Sequence, residues 1–358
     1  MNSRATPADP PPLRWGFVGT GNIAGWMADV VGRSPWAELA AVASRRMETA
    51  AAFATAHGAG EAFDSWERML ARDGIDAVYV ATPTALREEI CVAAAAAGKH
   101  VLGEKPFASL RSLQRITAAC RENGVAFMDA THFVHHPRTA RVLARAEELT
   151  GRPRSLDSSF LISLTDRGDI RYDPALEPLG ALGDLGWYNM RAALEYLAPD
   201  SAVRSVSARL RHDEPTGVII AGEGSIDFAN DTVSTWRCGF DADRVSIGLT
   251  LSGSRGRIHM ENFVGEEEGG TASYRYWTDG YWTDGACENA GTTVRVDSSQ
   301  SGPGLMFRNF AADARDPTLR EPRMHAAERT QALLDAVRVG FDPVKGSQQE
   351  PRDEQQRG

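Results

Sequence analysis

The segment Gly19-Thr20-Gly21-Asn22-Ile23-Ala24 constrains this chain most. It follows an apolar run over residues 13–18 that reads as a strand, and it opens a helical stretch over residues 23–31. Between a strand and a helix, G-x-G-x-x-A marks the first turn of a parallel βαβ unit. The first glycine allows a tight turn, the second lets the backbone approach a pyrophosphate, and a small third residue lets helix and strand pack closely. The free N–H groups at the start of the helix then face the phosphates.

The pattern downstream repeats that unit. Apolar runs at 39–43, 77–80, 100–102 and 125–128 read as strands, and helical stretches at 48–56, 66–72, 86–97 and 110–122 lie between them. Gly98 and Asn123-Gly124 supply helix stops. This alternation predicts an α/β Rossmann domain over residues 13–130, with helices on both faces of a parallel sheet. Beyond Thr131 the texture changes to helices at 138–149 and 183–197, then strands at 203–210, 218–228, 232–240, 245–251 and 257–263. A chain of 358 residues is long enough for such a second domain. It is expected over residues 131–310 as an α+β unit with a mainly antiparallel sheet. A last helix at 323–339, within residues 311–340, is expected to pack back on the first domain, and 1–12 and 341–358 read as disordered tails. The five residues Tyr276-Trp277-Thr278-Asp279-Gly280 recur at 281–285, and Asp-Gly at each end predicts a hairpin or paired turns at a sheet edge or a contact between copies.

Charge and composition exclude several functions. A formal net charge of −9 argues against a nucleic-acid partner. No apolar run approaches the roughly 18 residues that cross a bilayer, and the Pro-rich start lacks the apolar core of a signal peptide. Cys91, Cys120, Cys238 and Cys287 form no C-x-x-C pair, which points away from zinc and disulfides and toward a reducing, cytoplasmic setting. His132, His135 and His136 are too loosely spaced, with only Asp129 nearby, to hold a metal, and none is expected.

Two local features narrow the chemistry. The second strand runs into Ser44-Arg45-Arg46 with no carboxylate before Glu48. A carboxylate at this place selects NAD through the ribose 2′-hydroxyl, whereas guanidinium groups accommodate the 2′-phosphate of NADP; NADP is therefore expected. The other feature is scarcity: of 39 basic residues only Lys99, Lys105 and Lys345 are lysine. Arg cannot release its proton near neutral pH and Lys can. Lys345 lies in the polar tail, and Lys99 ends a helix, where a cation suits the dipole. Lys105 has neither explanation. It sits in Gly103-Glu104-Lys105-Pro106 just after the strand at 100–102, at the carboxyl end of the sheet, where doubly wound folds bind their ligands.

Together the glycine turn, Ala81-Thr82-Pro83, the run from Ala97 to Pro106 and the run from Gly180 to Tyr188 resemble the Gfo/Idh/MocA family, over about residues 13–340. The resemblance implies a Rossmann domain followed by an open-faced sheet, and a homodimer or homotetramer. It implies that Gly19, Thr20, Gly21, Asn22, Ile23, Thr82, Pro83, Glu104 and Lys105 bind the cofactor, and that Lys105 is the proton donor or acceptor. Glu104 orients that amine or serves as a structural carboxylate, and Pro106 matches a proline often preceded by a cis bond. Asp184 and Tyr188 match the family's D-x-x-x-H/Y pattern. Four residues apart on a helix puts them on one face, Asp184 to hold a substrate hydroxyl and Tyr188 to share the proton transfer or bind the carbonyl oxygen. Arg171, in Asp169-Ile170-Arg171, is a candidate polar ligand of substrate. One departure is Leu86-Arg87, where many members have Leu-His, and no role is transferred to Arg87.

The activity so implied is NADP-dependent hydride transfer to or from a carbon of a sugar or keto-sugar, nucleotide-linked or free. A dihydrodiol or other polyol is the alternative substrate. A cofactor-binding regulator or an NAD-dependent glycosidase is the alternative of another class. With aldoses, keto-sugars and diols as candidates, the redox reading predicts a net change in NADPH absorbance. A hydrolase that recycles its cofactor gives none.

Overall fold

The computed structural model describes residues 11–197, 200–267, 269–278 and 291–340. Its first sheet has six parallel strands: β1 (Leu13–Val18), β2 (Ala37–Ala43), β3 (Glu61–Phe63), β4 (Ala77–Val80), β5 (His100–Gly103) and β6 (Phe127–Asp129). Their order, β3-β2-β1-β4-β5-β6, reverses direction between β1 and β4, so a crevice opens over the carboxyl ends of these two strands. Helices α1 (Asn22–Val31), α2 (Met47–His57), α3 (Trp66–Leu70), α4 (Arg87–Ala96) and α5 (Leu110–Glu122) cover it. Burial on both faces explains why the strands read as unbroken apolar runs: Trp15, Phe17, Val78, Tyr79, Val101 and Leu102 are all fully buried. The stretch at 86–97 divides into a 3-10 turn, Thr84–Leu86, followed by α4. The short strand β3 has no counterpart in the sequence reading, because three residues carry no periodicity.

The second sheet follows α6 (Pro137–Thr150). It is built from β7 (Pro153–Ser163), then, after α7 (Trp187–Tyr196), β8 (Val203–His212), β9 (Ile219–Phe228), β10 (Val233–Gly239), β11 (Asp241–Ser246), β12 (Leu249–Gly253), β13 (Arg257–Met260), β14 (Ala272–Trp277) and β15 (Thr292–Val296). The order is β15-β14-β13-β12-β7-β10-β9-β8, with β11 on β7. Among the described strands of this second sheet, only the β7–β10 pair is parallel. The sequence reading missed β7 although it is central, because its Ser155, Asp157, Ser158 and Ser159 hide the alternation. The strand expected at 245–251 is interrupted at Ile247-Gly248 and becomes parts of β11 and β12. One face of the sheet buries Leu156, Trp236, Leu251 and Ile258 toward the helices; the other exposes Asp157, Thr235 and Arg237. The repeat at 276–285 falls mostly outside the described residues, with Tyr276 and Trp277 closing β14.

At the C-terminal end there are two helices where the sequence reading placed one. Helix α9 (Arg320–Val339) starts three residues before the expected 323 and lies against β6, α5 and α7. Helix α8 (Gly302–Arg315) was not foreseen; Pro303 with Gly302 and Gly304 on either side blurred its period. It docks on the first sheet, with Phe307 edge-on to Trp15 at 5.0 Å between ring centroids and Phe310 at 4.9 Å. Phe307 is fully buried. Phe307→Ala is therefore expected to lower stability by about 3–5 kcal/mol, measured by denaturant unfolding.

Candidate active site

The glycine turn leaves β1 at the switch point. Gly19 has φ +111°, and a Cβ there would stand 2.7 Å from the carbonyl oxygen of Ala81, so only glycine lets the turn lie against the end of β4. Gly21 precedes α1, whose N-terminus has no side-chain cap, and a Cβ at Gly21 would meet nothing within 4 Å. The uncapped N–H groups thus open into a cavity of about 1060 Å³ that runs from Ser44 and Arg45 at one end to Tyr188 at the other. Thr20, Asn22, Ile23, Thr82 and Pro83 line it, and the Thr20 and Ser44 hydroxyls lie 3.3 Å apart. Thr82 Oγ1 is buried without a hydrogen-bond partner. Buried hydroxyls are rarely left unpaired, and this one belongs to a residue of the cavity wall. Arg46 departs from the expectation. Its backbone is extended (φ −131°, ψ 130°) as it enters α2, and its exposed side chain is not part of the cavity wall.

At the other end, Lys105 leaves β5 and is joined to Pro106 by a cis peptide bond. Its Nζ donates to the Asp184 carboxylate and to the Asp184 carbonyl oxygen, each at 2.7 Å, and lies 5.0 Å from the centre of the Tyr188 ring. The Lys105 side chain is only 9 % exposed. Asp184 and Tyr188 do converge on one place, but not on a regular α-helix. Asp184 belongs to a π-helical turn, Leu182–Gly186, that runs into α7. Such turns widen the helix by a residue and re-aim a side chain. Gly183 lets this turn approach closely, since a Cβ there would come within 2.8 Å of Pro106 Cγ. Arg171 donates from Nε to Asp184 at 2.7 Å and from Nη1 to Asp169 at 3.2 Å. Burial would raise the Asp184 pKa, yet Lys105 and Arg171 together hold it well below the usual carboxylate range. Its carboxylate is thus engaged by two cations.

Glu104 is arranged differently from the orienting role. It is buried, accepts the Tyr79 hydroxyl at 2.5 Å and takes the Lys105 backbone N–H at 3.2 Å, while the Lys105 amine goes to Asp184. Burial raises the Glu104 pKa, against the pull of the Lys105 charge. Burial, then the Glu104 and Asp184 charges, pushes the Tyr188 phenol well up, so it keeps its proton and is a donor.

Sequence reasoning missed several residues around this centre. His132 lines the cavity with Nδ1 buried and unpartnered, edge-on to both Trp26 and Tyr188; burial and the Lys105 charge lower its pKa to about 4, so it is neutral near pH 7. The other two histidines have separate partners: Nδ1 of His135 meets the Asn309 amide, and His136 caps α6. Among the described residues, no group of three or more His, Cys, Asp or Glu comes together as a metal site would. Arg87 and Glu177 also border the cavity. Only the Leu-Arg departure hinted at Arg87, and nothing in the sequence marks the Tyr79–Glu104 pair.

A dinucleotide-sized cavity, floored by an uncapped helix N-terminus and ending at a lysine, a carboxylate and a protonated phenol, defines an NAD(P)-dependent oxidoreductase. The sequence agrees: residues 13–131 match an oxidoreductase family with an NAD-binding Rossmann fold, residues 138–259 match a GFO/IDH/MocA C-terminal domain, and the chain belongs to the Gfo/Idh/MocA family. It is 35% identical over 257 residues (71% of this chain, 76% of the relative) to dTDP-3,4-didehydro-2,6-dideoxy-alpha-D-glucose 3-reductase of Actinomadura kijaniata. It is 40% identical over 259 residues (70% and 74%) to an NADP(+)-dependent scyllo-inositol 2-dehydrogenase of Bacillus subtilis. The structure of KijD10, a 3-ketoreductase from Actinomadura kijaniata in complex with NADP and TDP-benzene, is similar with a TM-score of 0.82, at 28% identity, covering 92% of this chain and 98% of that one.

The two glycines separate cofactor binding from folding. Gly21→Val should keep the melting temperature and weaken NADPH binding at least tenfold, by about 1.4 kcal/mol or more, because its side chain enters open space that a pyrophosphate would occupy. Gly19→Ala should lower the melting temperature itself. Calorimetry and fluorescence titration read the two effects.

Proposed function

We propose that the protein uses NADPH to reduce a keto group on a sugar, and runs the reverse oxidation where the equilibrium allows. The observation that carries this reading is the Lys105 amine, buried at the cavity end and held 2.7 Å from Asp184 beside the Tyr188 ring. The cofactor would be held by Gly19, Thr20, Gly21, Asn22 and Ile23 at the turn, by Thr82 and Pro83 opposite it, and by Ser44 and Arg45 toward the 2′-phosphate. The partnerless Thr82 hydroxyl and the open space at Gly21 support that fit, and Arg45 on the cavity wall, with no carboxylate between the end of β2 and Glu48, supports NADP over NAD. NADPH supplies the hydride.

The chain's own residues manage the proton and the substrate. Lys105 gives a proton from Nζ to the substrate oxygen as it gains negative charge, and recovers one from water afterwards. Tyr188, which keeps its proton, donates a hydrogen bond to the same oxygen. Asp184 aims the amine and Arg171 fixes Asp184. The side walls offer Phe160, Ile162, Ile170 and Leu185 to the apolar face of a sugar ring. Likeness to the dTDP-sugar 3-reductase favours a nucleotide-linked keto-sugar, and likeness to the inositol dehydrogenase supports a cyclic polyol as the second reading.

The exposed polar face of the second sheet, with Asp157, Thr235 and Arg237, suits a contact between copies in a homodimer or homotetramer. The buried free thiols of Cys91, Cys120 and Cys238 support a cytoplasmic location. We assign residues 13–130 to cofactor binding and 131–310 to substrate. Lys105→Ala is expected to lower turnover by roughly 10² to 10⁴ while NADPH still binds, measured by steady-state kinetics beside a binding titration. Unchanged turnover removes Lys105 from the chemistry.

A further inference from the structure

Arg87, the first residue of α4, is 7 % exposed and reaches three acceptors at once. Its Nε donates to the Thr82 carbonyl oxygen at 2.9 Å, and its Nη1 donates to Thr84 Oγ1 at 2.8 Å and to the Pro106 carbonyl oxygen at 2.5 Å. Thr82 belongs to the cofactor side of the cavity, and Pro106 is joined to Lys105. One guanidinium therefore ties both halves of the site to a common point. From the segment between β7 and the π turn, Glu177 accepts from Thr84 N at 3.0 Å and from Thr84 Oγ1 at 2.5 Å, and lies 3.9 Å from Arg87 Nη2. Beside it the Ala85 N–H donates to the Leu176 carbonyl oxygen at 3.1 Å.

We propose that Arg87 is a positioning residue for Lys105, anchored by Glu177 from the second unit. This rests on the reading of Lys105 given above. A guanidinium is planar and presents its donors in a fixed fork, so holding the Thr82 and Pro106 carbonyls together sets the distance between them. The backbone from which Lys105 projects is thereby fixed relative to the turn that borders the cofactor. Proton transfer depends on that distance, since a displacement of about 1 Å at a reacting group costs on the order of 10² in rate. Glu177 answers the positive charge of Arg87 in a largely buried setting; its side chain is 14 % exposed and that of Arg87 8 %.

A purely structural role and a positioning role diverge in a double variant. Arg87→Met leaves Glu177 buried without its cation and should lower the melting temperature. Adding Glu177→Gln removes that charge, keeps an acceptor for Thr84 N, and should restore most of the loss. The positioning role predicts that kcat of this double variant stays down by about 10- to 100-fold, with KM for the sugar within about threefold, because the Pro106 carbonyl is still unheld. Arg87→Lys, which has a single donor head, should fold normally and lose roughly tenfold in kcat.

Hydrogen exchange gives a readout that needs no substrate. The amides of Lys105 and Phe107 donate to Glu104 and Gln331, and both should exchange faster in the double variant and in Arg87→Lys. If wild-type protein oxidises NADPH with no sugar, the proposed function fails, and exchange still decides the position of Lys105. Wild-type kcat in a double variant of restored stability, wild-type kcat in Arg87→Lys, or unchanged exchange at Lys105 and Phe107 overturns the proposal.

Discussion

The site depends on one contact made across 79 residues of sequence, the bond from the Lys105 amine to Asp184. It joins the end of β5 to the π turn before α7, so the first sheet and the second unit share a single charged centre. The amine is held twice, by the carboxylate and by the carbonyl of the same residue. Arg171 supplies a second cation on the far oxygen. Taking charges this far out of water is costly, and deleting one member of a buried pair typically costs about 3–5 kcal/mol because the other is stranded. The arrangement is thus better understood as a device for holding an amine still than as a source of stability.

Backbone proximity makes that contact possible. The π turn reaches Pro106 because Gly183 has no side chain to intervene, and the glycine turn reaches the end of β4 because Gly19 adopts a conformation other residues avoid. In both places the chain omits atoms so that reactive groups can meet. The larger side chains work at a distance: Trp15, Phe307 and Phe310 fasten α8 beneath the first sheet, and Trp187 packs against Phe107 just beyond the cis bond. Rigid aromatic packing below and small residues above give a firm floor and a close-fitting top.

Most of the first sheet was legible in the sequence, because parallel strands buried on both faces announce themselves as apolar runs; β1, β4 and α5 fall on the residues anticipated. The second sheet was legible in outline only. Its β7 carries four serines and an aspartate, half of its pattern being set by an exposed face, and α8 begins with residues that mimic a loop. The same split holds for the site. Lys105, Asp184 and Tyr188 stood out by type and spacing, and they meet in space. What the sequence did not convey is which partner each takes. Glu104 neighbours Lys105 in the chain yet binds Tyr79, and Arg46 neighbours Arg45 yet turns away from the cavity. Arg87 and Glu177 are 90 positions apart and meet only through folding. Adjacency in sequence misleads wherever an extended backbone sends successive side chains to opposite sides.

The two ends of the cavity differ in their access to dissolved ions. Arg45 stands in solvent, where 0.15 M salt screens charge beyond about 8 Å. The amine of Lys105 and the carboxylate of Asp184 are largely enclosed by protein and already paired with each other, so dissolved salt screens them less. Ionic strength therefore acts on the capture of an anionic ligand at the Arg45 end and leaves the proton-handling end nearly untouched, so a salt titration that separates KM for the dinucleotide from kcat reports on each end independently.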